Sequence, residues 1–357
     1  MDLVSTCGQL VIGGFRGTSL PAQLTSALRR RRRGGVILFK HNVEGGPEQV
    51  AALTREVHAA APDTPFVGID QEGGRIARLH APMLEVPSMR TVASWGDASF
   101  AERIARAVGT ELAALGFTIN FAPVLDVNTC AQNPIIGDRS FGEDADVCAQ
   151  FGVAWIRGLQ SAGLLACGKH FPGHGDTTKD SHVDLPEVDQ ARDRLERIEL
   201  APFRAACAAG VASMMTAHVV YTALDPSLPA TLSRVSCTEL RESVGFHGML
   251  ITDDLGMQAI AARWSIEDAS VQAVGAGCDV LLICRSEQDQ EAAVEALVRE
   301  AQVSPTFRKR CEQAYARSLE ARGKIAARPL DDEAIAGIVG GAESRGVATQ
   351  IEERLTR

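Results

Sequence analysis

No stretch of this chain approaches the roughly 18–20 consecutive apolar residues that span a bilayer. Met1 to Phe15 also lacks a basic segment followed by a long apolar run, so neither a membrane span nor a secretory leader is expected. An excess of cationic charge is missing too. With 36 basic and 45 acidic residues the net charge is −9, which offers no general attraction to nucleic acid or to an anionic membrane surface. A small, locally recognised ligand is the default expectation. The nine cysteines show no CxxC spacing, which argues against a zinc site or a redox pair. They read as reduced core residues of a cytosolic protein. Fixed-period repeats, low-complexity tracts and long linkers are absent as well.

What is present is enough apolar material, 45% of 357 residues, for one large barrel or two ordinary domains. Eight β-branched or apolar runs alternate with helical patterns: Leu10 to Phe15, Gly35 to Phe39, Phe66 to Asp70, Phe117 to Val127, Leu165 to His170, Ser213 to His218, Met249 to Asp253 and Asp279 to Cys284. That alternation predicts an α/β fold, a single-domain (β/α)8 TIM barrel. Val36-Ile37-Leu38-Phe39 and Val280-Leu281-Leu282-Ile283 are continuous apolar runs, as expected of strands buried on both faces. Between the strands, Val50, Leu53 and Val57 follow Gly46-Pro47, with the proline at a first helical position. Ile104, Val108, Leu112 and Leu115 keep helical spacing up to Gly116, a C′ glycine. Ser265 with Asp268 predicts an N-cap. The barrel is expected over 1–330, with helices near Gln288 to Ala301 and Thr306 to Ala326, and a helical tail over 331–357. Arg29 to Arg33 is expected to be a solvated helix C-terminus favoured by the dipole.

In such a barrel the chemistry sits at the C-terminal ends of the strands. Asp70, Asp126, Lys169-His170, His218 and Asp253-Asp254 all terminate apolar runs, and their convergence is hard to explain by packing alone. The densest stretch is Lys169-His170-Phe171-Pro172-Gly173-His174-Gly175-Asp176, followed by Asp180-Ser181-His182. His170, His174, Asp176 and His182 allow a metal-dependent hydrolase, although Pro172 and Gly173 argue against the helix that a His pair four residues apart requires. Alternatively, Asp180 can orient His182 and stabilise its protonated form.

Taken in order, Gly68-Ile69-Asp70-Gln71-Glu72-Gly73-Gly74-Arg75, Phe121 to Val127, Gly137-Asp138-Arg139-Ser140-Phe141, Lys169 to Gly175, Asp180-Ser181-His182 and Thr252-Asp253-Asp254-Leu255-Gly256-Met257 form a specific series. Over about Leu10 to Ile283 the chain resembles glycoside hydrolase family 3, and within it the cytosolic β-N-acetylglucosaminidases of peptidoglycan recycling. The resemblance implies that Asp253 is the nucleophile and that His182, partnered by Asp180, is the general acid/base. It further implies that Asp70, Arg78, Arg139, Lys169 and His170 bind sugar. The substrate implied is a small carbohydrate, GlcNAc-1,6-anhydroMurNAc-peptides, with no metal or other cofactor, no nucleic acid and no membrane insertion, in a cytoplasmic monomer. One departure is visible: such proteins often carry an arginine before the asparagine after strand two, where this chain has Lys40-His41-Asn42.

Bond cleavage through an oxocarbenium-like state needs an anion beneath the anomeric carbon and a proton donor at the leaving oxygen. Asp253 can be the anion, with Lys169 and Arg139 expected to keep its pKa low. Adjacent strand residues point to opposite sides, so Asp254 is expected to be structural. A base that is neutral when deprotonated does not repel an anionic acceptor, which keeps phosphorolysis open beside hydrolysis. Also open are a family 3 β-glucosidase, a metal-dependent barrel hydrolase and a barrel that binds sugar without turning it over.

Overall fold

A computed structural model describes residues 2–178 and 185–356. Eight parallel strands close into a barrel: β1 Val11–Gly13, β2 Gly35–Leu38, β3 Phe66–Ile69, β4 Ile119–Asn120, β5 Leu165–Phe171, β6 Ser213–Thr216, β7 Met249–Asp254 and β8 Val280–Ile283. Each pairs with its sequence neighbours and β8 closes on β1, Val11 opposite Leu281 and Gly13 opposite Ile283. All eight lie within the predicted runs or overrun them by a residue. Strand four is much shorter than Phe117 to Val127, because Pro123 has no N–H to continue the ladder. Beyond it the chain stays joined to β5 through the Cys167 N–H, which donates to the Ala122 carbonyl, and through a bridge between Val124 and Lys169.

The barrel interior is packed by side chains, and one glycine is required for that. A Cβ on Gly68 would lie 2.6 Å from the Phe121 ring, which fills the space beside β3. The surrounding helices start and stop where the sequence marks them. Pro47 opens Gly46–Ala60, Ser265 accepts a hydrogen bond from the Asp268 N–H to cap Ile266–Ala276, and Gly116, at φ +84°, turns the chain after Ala98–Ala114. Ile104, Val108 and Leu112 of that helix are buried, each contributing roughly 1.5–3 kcal/mol.

At the N-terminal face, the buried Asp279 accepts hydrogen bonds from Arg241, Arg310 and Arg317, pinning the helix Pro305–Gly323 beneath the barrel. The tail folds into helices Asp332–Ile338 and Ala342–Leu355, which pack on Ala98–Ala114 through ion pairs such as Arg106 to Glu343. The arginine run departs from expectation. Arg31 and Arg32 pair with Asp63 and Glu291, but Arg33 is only 3% exposed and donates to the Gln290 carbonyl. The helix ends at Arg29, and the chain then turns inward to start β2, carrying Arg33 with it. Among the described residues no helix is long and apolar enough to cross a membrane.

Candidate active site

The C-terminal mouth of the barrel holds a cavity of about 750 Å³, lined among the described residues by side chains that follow seven of the eight strands, all but β6, and reaching from Phe15 after β1 to Arg285 after β8. Asp70, Arg78, Arg139, Lys169, His170 and Asp253 all line it. Asp180 and His182 lie outside the described residues.

The wall after β3 and β5 is built around buried charge. Lys169 Nζ lies 2.6 Å from Glu72 Oε1 and 3.0 Å from Asp70 Oδ1, with its side chain 3% exposed. Arg139 donates to both oxygens of Glu72 at 2.9 Å, the bidentate geometry that only a guanidinium supplies. Arg78 reaches Asp70 at 3.2 Å. Burial opposes ionisation of Glu72, yet Arg139 and Lys169 outweigh it and hold the carboxyl far below its ordinary 4.5. The β3 loop that carries these groups is clamped by Gln71, whose side chain accepts from the Arg78 and Leu79 N–H groups and donates to the Leu79 carbonyl.

Sequence reasoning quoted Glu72 in a motif but gave it no role. A signal was available: Arg78, Arg139 and Lys169 make three cations against Asp70 alone, and buried charges need partners. Glu72→Ala is therefore expected to lower stability by about 3–5 kcal/mol, since it leaves Lys169 and Arg139 buried and short of an anion. Urea denaturation reads this, and an unchanged midpoint would show the pair to be dispensable. Because the folded carboxyl lies below its ordinary 4.5, its contribution is present above that pH and fades as the pH falls through and below it.

Asp126 supports the site from behind the wall. Its carboxylate accepts from the His170 N–H at 3.0 Å, the His174 N–H at 2.7 Å and His170 Nδ1 at 2.7 Å, bracketing the Lys169 to Gly175 segment. His170 thus gives its Nδ1 proton to Asp126 and keeps Nε2 for the cavity. His174 packs edge-on against His170, contacts Thr177 Oγ1 at 2.9 Å and is held neutral at a pKa of about 4 by burial. Asp176 is engaged elsewhere, by Thr129, Gln190 and Arg194. The set His170, His174, Asp176 is therefore drawn to separate partners, and among the described residues no group of three or more His, Cys, Asp or Glu is placed to hold a metal ion.

Asp253 and Asp254 part as expected for neighbours at a strand end. The Asp254 carboxylate accepts from the N–H groups of Gly256 and Cys284, both at 3.0 Å, tying β7 to the loop after β8. Among the described residues the Asp253 side chain accepts a hydrogen bond from the following N–H, at 2.7 Å, and it borders the cavity. Burial pushes its carboxyl up, but His218, His170, the Asp254 N–H and Lys169 together bring it below the ordinary 3.8. Lys169 thus acts on Asp253 as anticipated, whereas Arg139 is committed to Glu72. His218, at the end of β6, does not line the cavity. Its Nε2 donates to the Asp254 carbonyl at 3.0 Å, while Nδ1 meets Thr231 Oγ1 at 2.7 Å, so it braces the β7 tip.

A directed carboxylate at a strand tip, facing a wall of fixed cations and hydrogen-bonding groups across a sugar-sized cavity, defines a barrel enzyme that cleaves glycosidic bonds. Residues 5–318 match the family described as Glycosyl hydrolase family 3 N terminal domain. The chain belongs to that family. It is 38% identical over 293 residues to a beta-hexosaminidase of Alkalilimnicola ehrlichii, covering 80% of this chain and 82% of that one. Among solved structures it is similar to a family 3 beta-N-acetylglucosaminidase from Paenibacillus sp. str. FPU-7, with 38% identity, TM-score 0.91, and coverage of 99% of this chain and 69% of the other. It is also similar to NagZ from Neisseria gonorrhoeae, with 29% identity, TM-score 0.81 and 97% of both chains covered.

Proposed function

We propose that this family 3 β-N-acetylhexosaminidase is a retaining hydrolase that releases terminal β-linked N-acetylglucosamine from peptidoglycan fragments, GlcNAc-1,6-anhydroMurNAc-peptides. Asp253 attacks the anomeric carbon and forms a covalent glycosyl-enzyme. His182, oriented by Asp180, protonates the leaving oxygen and then takes a proton from the incoming water. Asp70, Arg78, Arg139, Lys169 and His170 hold the sugar. The same reading makes the protein a cytoplasmic monomer acting on a small carbohydrate.

The observation that carries the proposal is the division of labour at the β7 tip. Asp253 borders the cavity with its carboxyl held below the ordinary range, while the Asp254 carboxylate is occupied by two backbone N–H groups. A carboxylate used in that way is a poor partner for a substrate acetamide, which favours direct attack by Asp253 over participation of the substrate's own acetamide. On the opposite wall, Lys169 and Arg78 each keep donors beside Asp70 at the cavity surface, where sugar hydroxyls need directional partners.

The test is covalent trapping. A 5-fluoro N-acetylglucosamine analogue with a good leaving group, which keeps the 2-acetamide, is expected to add one glycosyl ester, and peptide mass mapping is expected to find it on Asp253. Absence of an adduct together with strong inhibition by a thiazoline mimic would instead support substrate participation.

A further inference from the structure

The lining of the cavity is asymmetric in charge. Among the described residues six cationic and four acidic side chains border it, in a chain whose net charge is −9. Deep in the site the charges are matched: Arg78, Arg139 and Lys169 share Asp70 and Glu72. The other three cations, Arg16, Lys40 and Arg285, are exposed at the mouth, and none has an ion pair or a side-chain hydrogen bond among the described residues.

Their placement is ordered. Arg16 follows β1, Lys40 follows β2 and Arg285 follows β8, and these strands are consecutive around the barrel in the order β8, β1, β2. The arc therefore begins next to β7, which carries Asp253, and runs along the side of the mouth away from β4 and β5. Three like charges on neighbouring loops repel one another, and no acidic side chain of the lining comes from those three loops. A concave opening also focuses the field of such an arc toward whatever occupies it. At about 750 Å³ the cavity is at the larger end of small-ligand sites, which run roughly 300–1,000 Å³, so it has room beyond one sugar ring.

We propose that the arc of Arg16, Lys40 and Arg285 recognises an anionic group, a carboxylate, on the leaving-group side of the scissile bond, so that the enzyme selects anionic over neutral leaving groups. The inference rests on the glycosidase reading and assigns the specificity of its outer subsite. It also gives the Lys40-His41 departure a meaning: the cation at this rim is supplied from three loops and does not depend on an arginine in one.

The test compares two β-N-acetylglucosaminyl disaccharides that differ only in the peptide amide-linked to the leaving sugar's lactyl arm, its carboxyl groups free in one and converted to methyl amides in the other, with a neutral aryl N-acetylglucosaminide as reference. An exposed charge pair contributes a few-fold in binding, so three together are expected to favour the carboxylate by about 10- to 100-fold in kcat/KM. That preference is expected to shrink as salt is raised, while the aryl rate stays flat. In the triple variant Arg16→Gln, Lys40→Gln, Arg285→Gln, the preference is expected to fall to near one with the aryl rate changed less than about threefold, which also reports an intact fold. Equal cleavage of carboxylate and amide by the unaltered enzyme overturns the proposal, as does a triple variant that slows all three substrates alike. If inorganic phosphate accelerates the aryl reaction, yields the sugar phosphate and loses this effect in the triple variant while the carboxylate shows no advantage, the arc serves an incoming anion, and the proposal is overturned in favour of that role. Failure of the unaltered enzyme to release N-acetylglucosamine from the aryl glycoside removes the glycosidase reading itself, whereas a normal aryl rate without charge preference removes only the outer subsite.

Discussion

Asp253→Ala is expected to keep the fold and lose about four to six decades of kcat on any β-N-acetylglucosaminide, or roughly 5.5–8 kcal/mol of barrier at 1.36 kcal/mol per decade. The fold survives because the side chain ends at the cavity and, among the described residues, accepts a hydrogen bond from the N–H that follows it alone. Asp254→Ala is expected to behave differently. It strips the acceptor from the half-buried N–H groups of Gly256 and Cys284, and leaving them unpaired costs up to about 1–3 kcal/mol each. Its signature is therefore a lower melting temperature with a smaller loss of rate, through displacement of the neighbouring carboxylate. Stopped assays with an aryl N-acetylglucosaminide and thermal melts on both variants separate the two. Near-normal turnover by Asp253→Ala beside a dead Asp254→Ala would reverse the assignment. The pH profile adds a check with a definite sign: because the folded Asp253 carboxyl lies below 3.8, the nucleophile stays ionised down to that pH. An acidic limb in kcat/KM above it belongs to another group.

The barrel was readable from the sequence because its strands are buried on both faces, which writes each one as a short continuous apolar run, and because polar residues end those runs where the mouth begins. The same rule located Asp70, Lys169, His170 and Asp253 in one cavity. It did not say which strand-end groups face the cavity and which stand behind it. Asp126 and His218 end their strands just as Asp253 does, yet Asp126 is consumed by two N–H groups and an imidazole, and His218 by a carbonyl and a hydroxyl. Those pairings form between loops far apart in the chain, and no local pattern encodes them. Glu72 was obscured for the opposite reason, since it lies three residues beyond the end of β3 in a glycine turn and becomes central only when Arg139, 67 residues on, folds over it. Arg33 illustrates a third limit. A run of five arginines looks solvated as a block, but the entry into β2 buries its last member.

His182→Ala is expected to separate substrates by leaving group. Departure of a sugar alcohol needs a proton at its oxygen, and losing the donor is expected to slow such substrates by about two to four decades. A 2,4-dinitrophenyl leaving group needs little protonation, so its first step, attack by Asp253 with release of the phenol, is expected to proceed nearly unchanged. The second step still lacks the base that removes a proton from water. The glycosyl-enzyme therefore accumulates, and the aryl substrate is expected to show a burst followed by slow turnover. Azide attacks the anomeric carbon without needing deprotonation, displaces the Asp253 carboxylate and is expected to raise that slow rate, yielding the β-glycosyl azide as net retention requires. Asp180→Ala is expected to follow the same pattern more weakly, since it removes the group that orients the imidazole and leaves the imidazole itself. Burst amplitude, steady-state rate and the anomeric configuration of the azide by NMR are the readouts. Equal losses for aryl and sugar leaving groups, with no response to azide, would mean that His182 only positions the substrate and that the proton comes from another side chain at the mouth.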